Sequence, residues 1–395
     1  MSTNKRTKDK QPNKGVYLDC NATTPLEPAV REEMLHYLDE EYGNEGSRTH
    51  EYGNTAKQAV QRAREQIASL VRCQREEVIF TSGATEANNI ALLGFAAYGE
   101  KVGKRHIIST QIEHKAVLEP LQELERRGFE ITLLPPEASG QVKPEDVVAS
   151  LRSDTLLVSV MHANNETGVI QPIEKIASLL TNTDVFFHVD AAQTFGKIPQ
   201  PLQNPRIDFI SLSGHKIYGP KGVGALVTRR RGYERAPLTP LMYGGGQERG
   251  LRPGTLPVPQ IVGLGVATAL AAKHHGHWDE INRKFKMTLI SELSSLNPIY
   301  NGDQSSTMSH CISLAFPGVD SESLIVALKG IVSISNGSAC TSATYKASHV
   351  LEAMRLSSDI ISGTIRLSWC HLTPPVKWEE VVNQIEALSS LSLKN

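Results

Sequence analysis

Cysteine is scarce and scattered: five in 395 residues (Cys20, Cys73, Cys311, Cys340 and Cys370), with no CxxC pair among them. That spacing excludes a zinc knuckle and a disulfide framework, and makes a reducing compartment, the cytoplasm, the default expectation. Net charge is almost absent. Lys and Arg total 41 against 42 Asp and Glu, a balance of -1, which argues against coating nucleic acid or an anionic membrane by charge alone. Long apolar runs are missing too. The stretch Ile261 to Ala272 is broken by two glycines and a threonine, well short of the ~20 residues a bilayer demands. Residues 1–14 carry charge with no apolar stretch behind them, and read as a flexible, solvated tail rather than a secretory signal or nucleic-acid arm. What is present is enough apolar side chain, 40%, to offset the entropy of ordering the chain.

From Glu77 to about Arg230, short β-branched runs alternate with longer amphipathic stretches. Strands are expected at 78–81, 106–109, 131–134, 156–161, 185–189, 209–212 and 225–228, with helices from Thr85 to about Tyr98 and from Ala116 to Arg127. This alternation predicts an α/β fold with a mostly parallel seven-stranded sheet covered on both faces. The run Val185 to Val189 is almost wholly apolar, as a strand buried on both sides should be. The segment Gly244-Gly245-Gly246 and the Pro-rich stretch to Pro259 break the rhythm, and a long helical pattern follows from about Val262 to Leu296. A large domain is expected over 26–270, and a smaller α+β C-terminal domain from 271–395 joined by 15–25.

In open α/β sheets, ligands sit outside the carboxyl ends of the strands. Five successive strand ends here carry small or chemically capable residues: Thr81 to Glu86, Glu113-His114, Ala163 to Glu166, Asp190 to Gln193, and Ser213 to Lys216. Taken singly, each has an ordinary reading. Gly83-Ala84-Thr85 can be a capped turn, His114 a satisfied core or surface histidine, Asn165 a turn residue, Lys216 a surface lysine. Asp190 is harder to dismiss, because a carboxylate ending so apolar a strand needs a cation or several hydrogen bonds. Together they offer a cradle where backbone N–H groups approach a phosphate, a ring to stack on a planar cofactor, a buried acid, and an imine-forming lysine. That combination fits pyridoxal 5'-phosphate, with Asp190 keeping the pyridine nitrogen protonated. No G-x-G-x-x-G follows the first strand, so dinucleotide binding fits less well.

These segments resemble the cysteine desulfurases, within the fold-type I (aminotransferase class V) pyridoxal-phosphate enzymes. The resemblance runs through YLDCNATTP (17–25), TSGATEANN (81–89), EHKAVLE (113–119), HANNETGVIQP (162–172), HVDAAQ (188–193), SGHKIYGPKGVGAL (213–226), GGGQERGLRPGTLP (244–257), SNGSACTS (335–342) and TIRLS (364–368). It implies that Lys216 carries the cofactor and that His114 stacks on it and moves protons. Asp190 and Gln193 would hold the pyridine nitrogen and ring hydroxyl; Ala84, Thr85, Ser213 and His215 would hold the phosphate. Thr255 would reach the phosphate of a second subunit, implying a homodimer. Asn165 and Arg366 would grip the carboxylate of an L-cysteine substrate, a task suited to the two-pronged guanidinium.

A lone cysteine is usually a small buried hydrophobe, the reading expected for Cys73, Cys311 and Cys370. Cys340 differs. It lies among serine, asparagine, glycine, alanine and threonine, which cannot build a core, so an exposed loop is expected there. The resemblance, to the long-loop branch, makes Cys340 the nucleophile that takes sulfur from cysteine as a persulfide and leaves alanine. Three departures, Cys20-Asn21-Ala22, Asn44 to Arg48 and Arg252-Pro253-Gly254-Thr255, resemble the desulfurases of DNA phosphorothioation rather than those of housekeeping iron–sulfur assembly. The acceptor would then be an iron–sulfur enzyme of that pathway, with no direct nucleic-acid contact and no metal site. Cys20 is expected to pack, with a relay role as the alternative. An aminotransferase or selenocysteine lyase of the same fold is the nearest rival.

Overall fold

A computed structural model describes residues 14–337 and 347–392; Cys340 and the tail at 1–13 lie outside the described residues. The strands run β1 (Val16–Tyr17), β2 (Val78–Thr81), β3 (His106–Thr110), β4 (Glu130–Leu134), β5 (Thr155–Met161), β6 (Phe186–Asp190), β7 (Phe209–Ser213), β8 (Gly224–Thr228), β9 (Ile299–Tyr300), β10 (Cys311–Ala315), β11 (Val332–Ser333) and β12 (Thr364–Ser368). Seven of them form one sheet in the order β2-β8-β7-β6-β5-β3-β4. Its pairings are parallel except at β8, which is antiparallel to both neighbours. Six strands therefore point one way, and their carboxyl ends share an edge.

The apolar runs become strands because both faces are covered: every residue of β5 and β7 is buried. One cluster, with Val158, Phe187, Ile210 and Val227, packs under helices Glu51–Val71 and Val258–Leu293. Another, with Ile107, Leu157 and Phe209, packs under helices Ala84–Leu93 and Lys115–Arg126. The expected helix from Thr85 to Tyr98 is two helices, Ala84–Leu93 and Ala96–Val102. Gly94 stands at the break, where its carbonyl accepts from Thr239 N at 2.9 Å.

A second sheet, β12-β10-β9, is antiparallel, and β1 pairs with β11 in parallel. Its core contains Leu18, Ile312, Leu314, Leu367, Trp369 and Trp378. The helix Val258–Leu293 is 36 residues long, about 54 Å at 1.5 Å per residue. Its early residues Ile261, Leu264 and Ala267 belong to the first core and Leu289 and Leu293 to the second. The boundary expected near 270 therefore falls inside one unbroken helix. Gly265 lets this helix approach its neighbour: a Cβ there would lie 2.7 Å from Ala63 Cα. Among the described residues, no helix is long and apolar enough to cross a membrane.

Candidate active site

The strand-end residues do converge at the carboxyl edge of the large sheet. Asp190 is the last residue of β6, buried, with Oδ2 accepting from Asn88 Nδ2 at 2.7 Å and Oδ1 from Ala192 N at 2.9 Å. Two hydrogen bonds thus hold its carboxylate. Asn88 was not singled out in the sequence. The available signal was a polar residue on the helical face shared with Ala84, Ala91 and Leu92, since a buried amide needs a partner.

His114 caps the helix Lys115–Arg126, with ring Nδ1 accepting from Ala116 N at 3.1 Å. In the neutral ring the proton therefore sits on Nε2. Burial holds the His114 pKa below its usual range, with Asp190 opposing that effect and Lys216 adding to it. Beside it, burial pushes the Glu113 carboxyl up to about 8, against hydrogen bonds from Met161 N at 2.9 Å and Thr110 Oγ1 at 2.8 Å.

Lys216 ends a 3-10 turn, Gly214–Lys216, directly after β7. Its Nζ donates to the carbonyls of Asn21 and, at 2.8 Å, Ala22. Gln193 Nε2 also donates to the Asn21 carbonyl, at 3.0 Å, while Gln193 Oε1 is buried with no partner among the described residues. His215 Nδ1 lies 3.2 Å from Thr23 Oγ1, and burial depresses its pKa to about 4. The segment Asp19–Thr24 is thus stitched to the lysine turn, with the Thr24 hydroxyl donating to the His215 carbonyl and accepting from Tyr218 N.

The turn expected to cradle a phosphate is shaped by close backbone approach. At Gly224 a Cβ would lie 2.3 Å from Leu212 O and 2.6 Å from Gly83 Cα, so glycine alone lets the turn before Ala84 close against β8. Gly83 itself faces Ser213 Oγ, 3.4 Å from where its own Cβ would stand. The helix starting Ala84-Thr85 has no side-chain cap, leaving first-turn N–H groups for an anion. Glu86 accepts from Ser82 N and, at 2.9 Å, from Arg252 Nε. Thr255, three residues beyond Arg252, is exposed.

The two residues expected to grip a substrate carboxylate, Arg366 and Asn165, lie side by side. Arg366, in the middle of β12, donates from Nη1 to Asn165 O at 2.8 Å and from Nη2 to Asp19 Oδ1 at 2.5 Å. Cys340 lies outside the described residues; those on either side of its stretch both meet Glu166: Ser348 Oγ donates to its carboxylate at 2.5 Å and Gly337 packs against its stem. Cys311, Cys370 and Cys20 are buried as expected, whereas Cys73 is only partly buried because it follows the end of the helix Glu51–Val71.

These residues fit pyridoxal phosphate. An uncapped helix start and the Ser213 hydroxyl suit the phosphate. The buried Asp190 suits a protonated ring nitrogen, the orphaned Gln193 Oε1 suits a ring hydroxyl, and Lys216 suits the aldehyde carbon. Residues 16–373 match the aminotransferase class-V family. The chain is 45% identical over 377 residues to the cysteine desulfurase IscS of Shewanella sp. (strain ANA-3), covering 95% of this chain and 92% of the relative. It is 48% identical over 354 residues to the mitochondrial cysteine desulfurase of Drosophila melanogaster, covering 89% and 76%. The structure of DndA from Streptomyces lividans superposes with a TM-score of 0.79 at 51% identity, covering 88% of this chain and 98% of that one.

Proposed function

The chain belongs to the aminotransferase class-V family, and on that premise we propose that it is a pyridoxal-phosphate-dependent cysteine desulfurase that converts L-cysteine to L-alanine and leaves the sulfur as a persulfide on Cys340. One observation carries the reading: a lysine, a histidine whose Nδ1 accepts from a helix N-terminus, a buried carboxylate and an uncapped helix start lie along one edge of the large sheet, where the Arg366 guanidinium of the second sheet reaches the Asn165 carbonyl, in a chain whose relatives are named cysteine desulfurases. Bound pyridoxal phosphate supplies an electron sink that weakens the bonds next to the substrate α-carbon. Asp190, fixed by Asn88 and Ala192, holds its ring nitrogen. Arg366 and Asn165 orient the substrate carboxylate. His114 moves a proton through Nε2, since Nδ1 is engaged by the helix cap. The Cys340 thiolate attacks the substrate sulfur; an S–S bond forms as the C–S bond breaks, and a proton added at the former sulfur-bearing carbon completes alanine. Cysteine plus thiol thus balances alanine plus persulfide with no added oxidant.

Incubation with L-cysteine followed by intact-mass analysis tests this. One sulfur should be gained on Cys340, and Cys340→Ser should lose both persulfide and alanine while retaining the cofactor; continued alanine release by that variant would reject the persulfide step.

The finer reading is sulfur donation to DNA phosphorothioation, through an iron–sulfur enzyme of that pathway as acceptor. It is supported by the 51% identity to DndA and by the departures around Cys20-Asn21 and Arg252-Pro253. The relatives named IscS favour a second reading, sulfur supply for iron–sulfur assembly. Deleting the gene in its host separates them: loss of DNA phosphorothioates with iron–sulfur enzymes intact supports the first, the converse the second. A homodimer with Thr255 serving the other subunit's phosphate fits its exposure, and sedimentation of the holoenzyme tests it.

A further inference from the structure

Arg366 is almost fully buried, its side chain 3% exposed, yet the residue that neutralises it is not a substrate but Asp19, 347 positions away in sequence. A guanidinium has five N–H donors. One Nη1 hydrogen goes to Asn165 O and one Nη2 hydrogen to Asp19 Oδ1, while Nε is buried with no partner among the described residues. Asn165 O accepts a second bond, from Asn21 Nδ2 at 3.2 Å. Asp19 and Asn21 are two residues apart, so Asp19, Arg366, Asn165 and Asn21 close a ring.

That ring is anchored on both sides. Asp19 forms a bridge with Ser368 of β12, Cys20 N donates to Ser368 O, and the Tyr17 hydroxyl donates to Asp19 O at 2.9 Å. The Asn21 carbonyl accepts from Lys216 Nζ and Gln193 Nε2. Asn21 Oδ1 is buried and unpartnered among the described residues. The N-terminal segment therefore joins the guanidinium to the lysine that carries the cofactor.

Resting on the desulfurase reading, we propose that Asp19 is a positioning residue for the substrate carboxylate: it fixes the rotation of the Arg366 guanidinium so that Nε–H and the remaining Nη hydrogens form a two-pronged donor edge before cysteine arrives. A buried arginine held only by one carbonyl would pivot, and a two-point grip depends on both donors being in place together. Asp19 shares the guanidinium with the substrate, so its charge alone would oppose carboxylate binding; the orientation it imposes outweighs that repulsion.

The test compares Asp19→Ala and Asp19→Asn holoenzymes with wild type. Two values are read: KM against kcat for L-cysteine, and the apparent Kd of L-alanine, titrated by the absorbance of the bound cofactor. Asp19→Ala should raise both KM and Kd about tenfold or more, with kcat within about threefold. Asp19→Asn keeps an acceptor oxygen but loses the charge that anchors the guanidinium, and should raise both about threefold or more, less than Asp19→Ala does. If Asp19→Ala does not fold, Asp19→Asn decides alone. Either folded variant keeping KM and Kd within about twofold of wild type, or losing only kcat, overturns the proposal. Wild-type protein that releases no alanine from cysteine would instead sink the desulfurase reading, while the alanine titration would still report on the ring.

Discussion

Removing the Glu248 carboxylate should destabilise the protein more than most single substitutions. Glu248 and Arg64 have side chains 2% and 6% exposed and form a bidentate pair, 2.6 Å at Nη2 and 2.9 Å at Nη1. Glu248 Oε2 also accepts from Phe80 N at 2.7 Å, and the Arg64 guanidinium lies 4.6 Å from the Phe80 ring centre. Glu248→Ala leaves a buried guanidinium with, among the described residues, the Val78 carbonyl as its remaining bond. Breaking such a pair costs about 3–5 kcal/mol, and the orphaned Phe80 N–H pushes the cost toward the upper end. Phe80 leads directly into the turn before Ala84, so retention of pyridoxal phosphate should fall in parallel. Urea unfolding of wild type, Glu248→Ala and Arg64→Met/Glu248→Leu measures this. The double variant should recover most of the loss, because neither charge is then stranded. A cost below about 1 kcal/mol for Glu248→Ala, or a double variant no more stable than Glu248→Ala, would refute the reasoning.

Other outcomes follow from the same site. Folding raises the Glu113 pKa from 4.5 to about 8, so the folded state keeps a proton that the unfolded chain releases; the resulting stability is complete below 4.5 and is lost as pH climbs through about 8. Glu113→Gln should flatten that decline, and urea midpoints across the range that keep the wild-type slope would contradict it. Asn88→Ala should raise the pyridoxal phosphate Kd about tenfold by freeing Asp190, and cost the cofactor-free protein about 1–3 kcal/mol because the buried Asp190 Oδ2 loses its donor; dialysis against free cofactor reads the first and urea unfolding the second. Gly224→Ala forces a methyl into Leu212 O and Gly83 Cα, and should weaken cofactor binding while costing about 1–3 kcal/mol, checked by the same two measurements.

Most strands of the large sheet were legible because burial on both faces demands mostly apolar runs, as in Phe186–Asp190 and Phe209–Ser213, while the edge strand Glu130–Leu134 is largely uncovered. The strand-end rule then pointed to His114, Asp190, Ser213 and Lys216 without knowledge of any contact. What stayed hidden depends on contacts distant in sequence. Gly94 breaks a helix because Thr239 docks on its carbonyl. The helix Val258–Leu293 hides a change of core because its apolar face serves one cluster early and another late, so no single face persists along it. The partners of the recognised residues are equally non-local: Asn88 for Asp190, Asn21 for Lys216, Asp19 for Arg366. A residue that performs chemistry must be of a particular type, which composition reveals; a residue that aims it needs only one well-placed acceptor or donor, which many side chains supply. Position in three dimensions, rather than residue type, separates Asp19 from the other acids of this chain, and so the aiming residues emerge only once the N-terminal segment is seen lying across the end of β12.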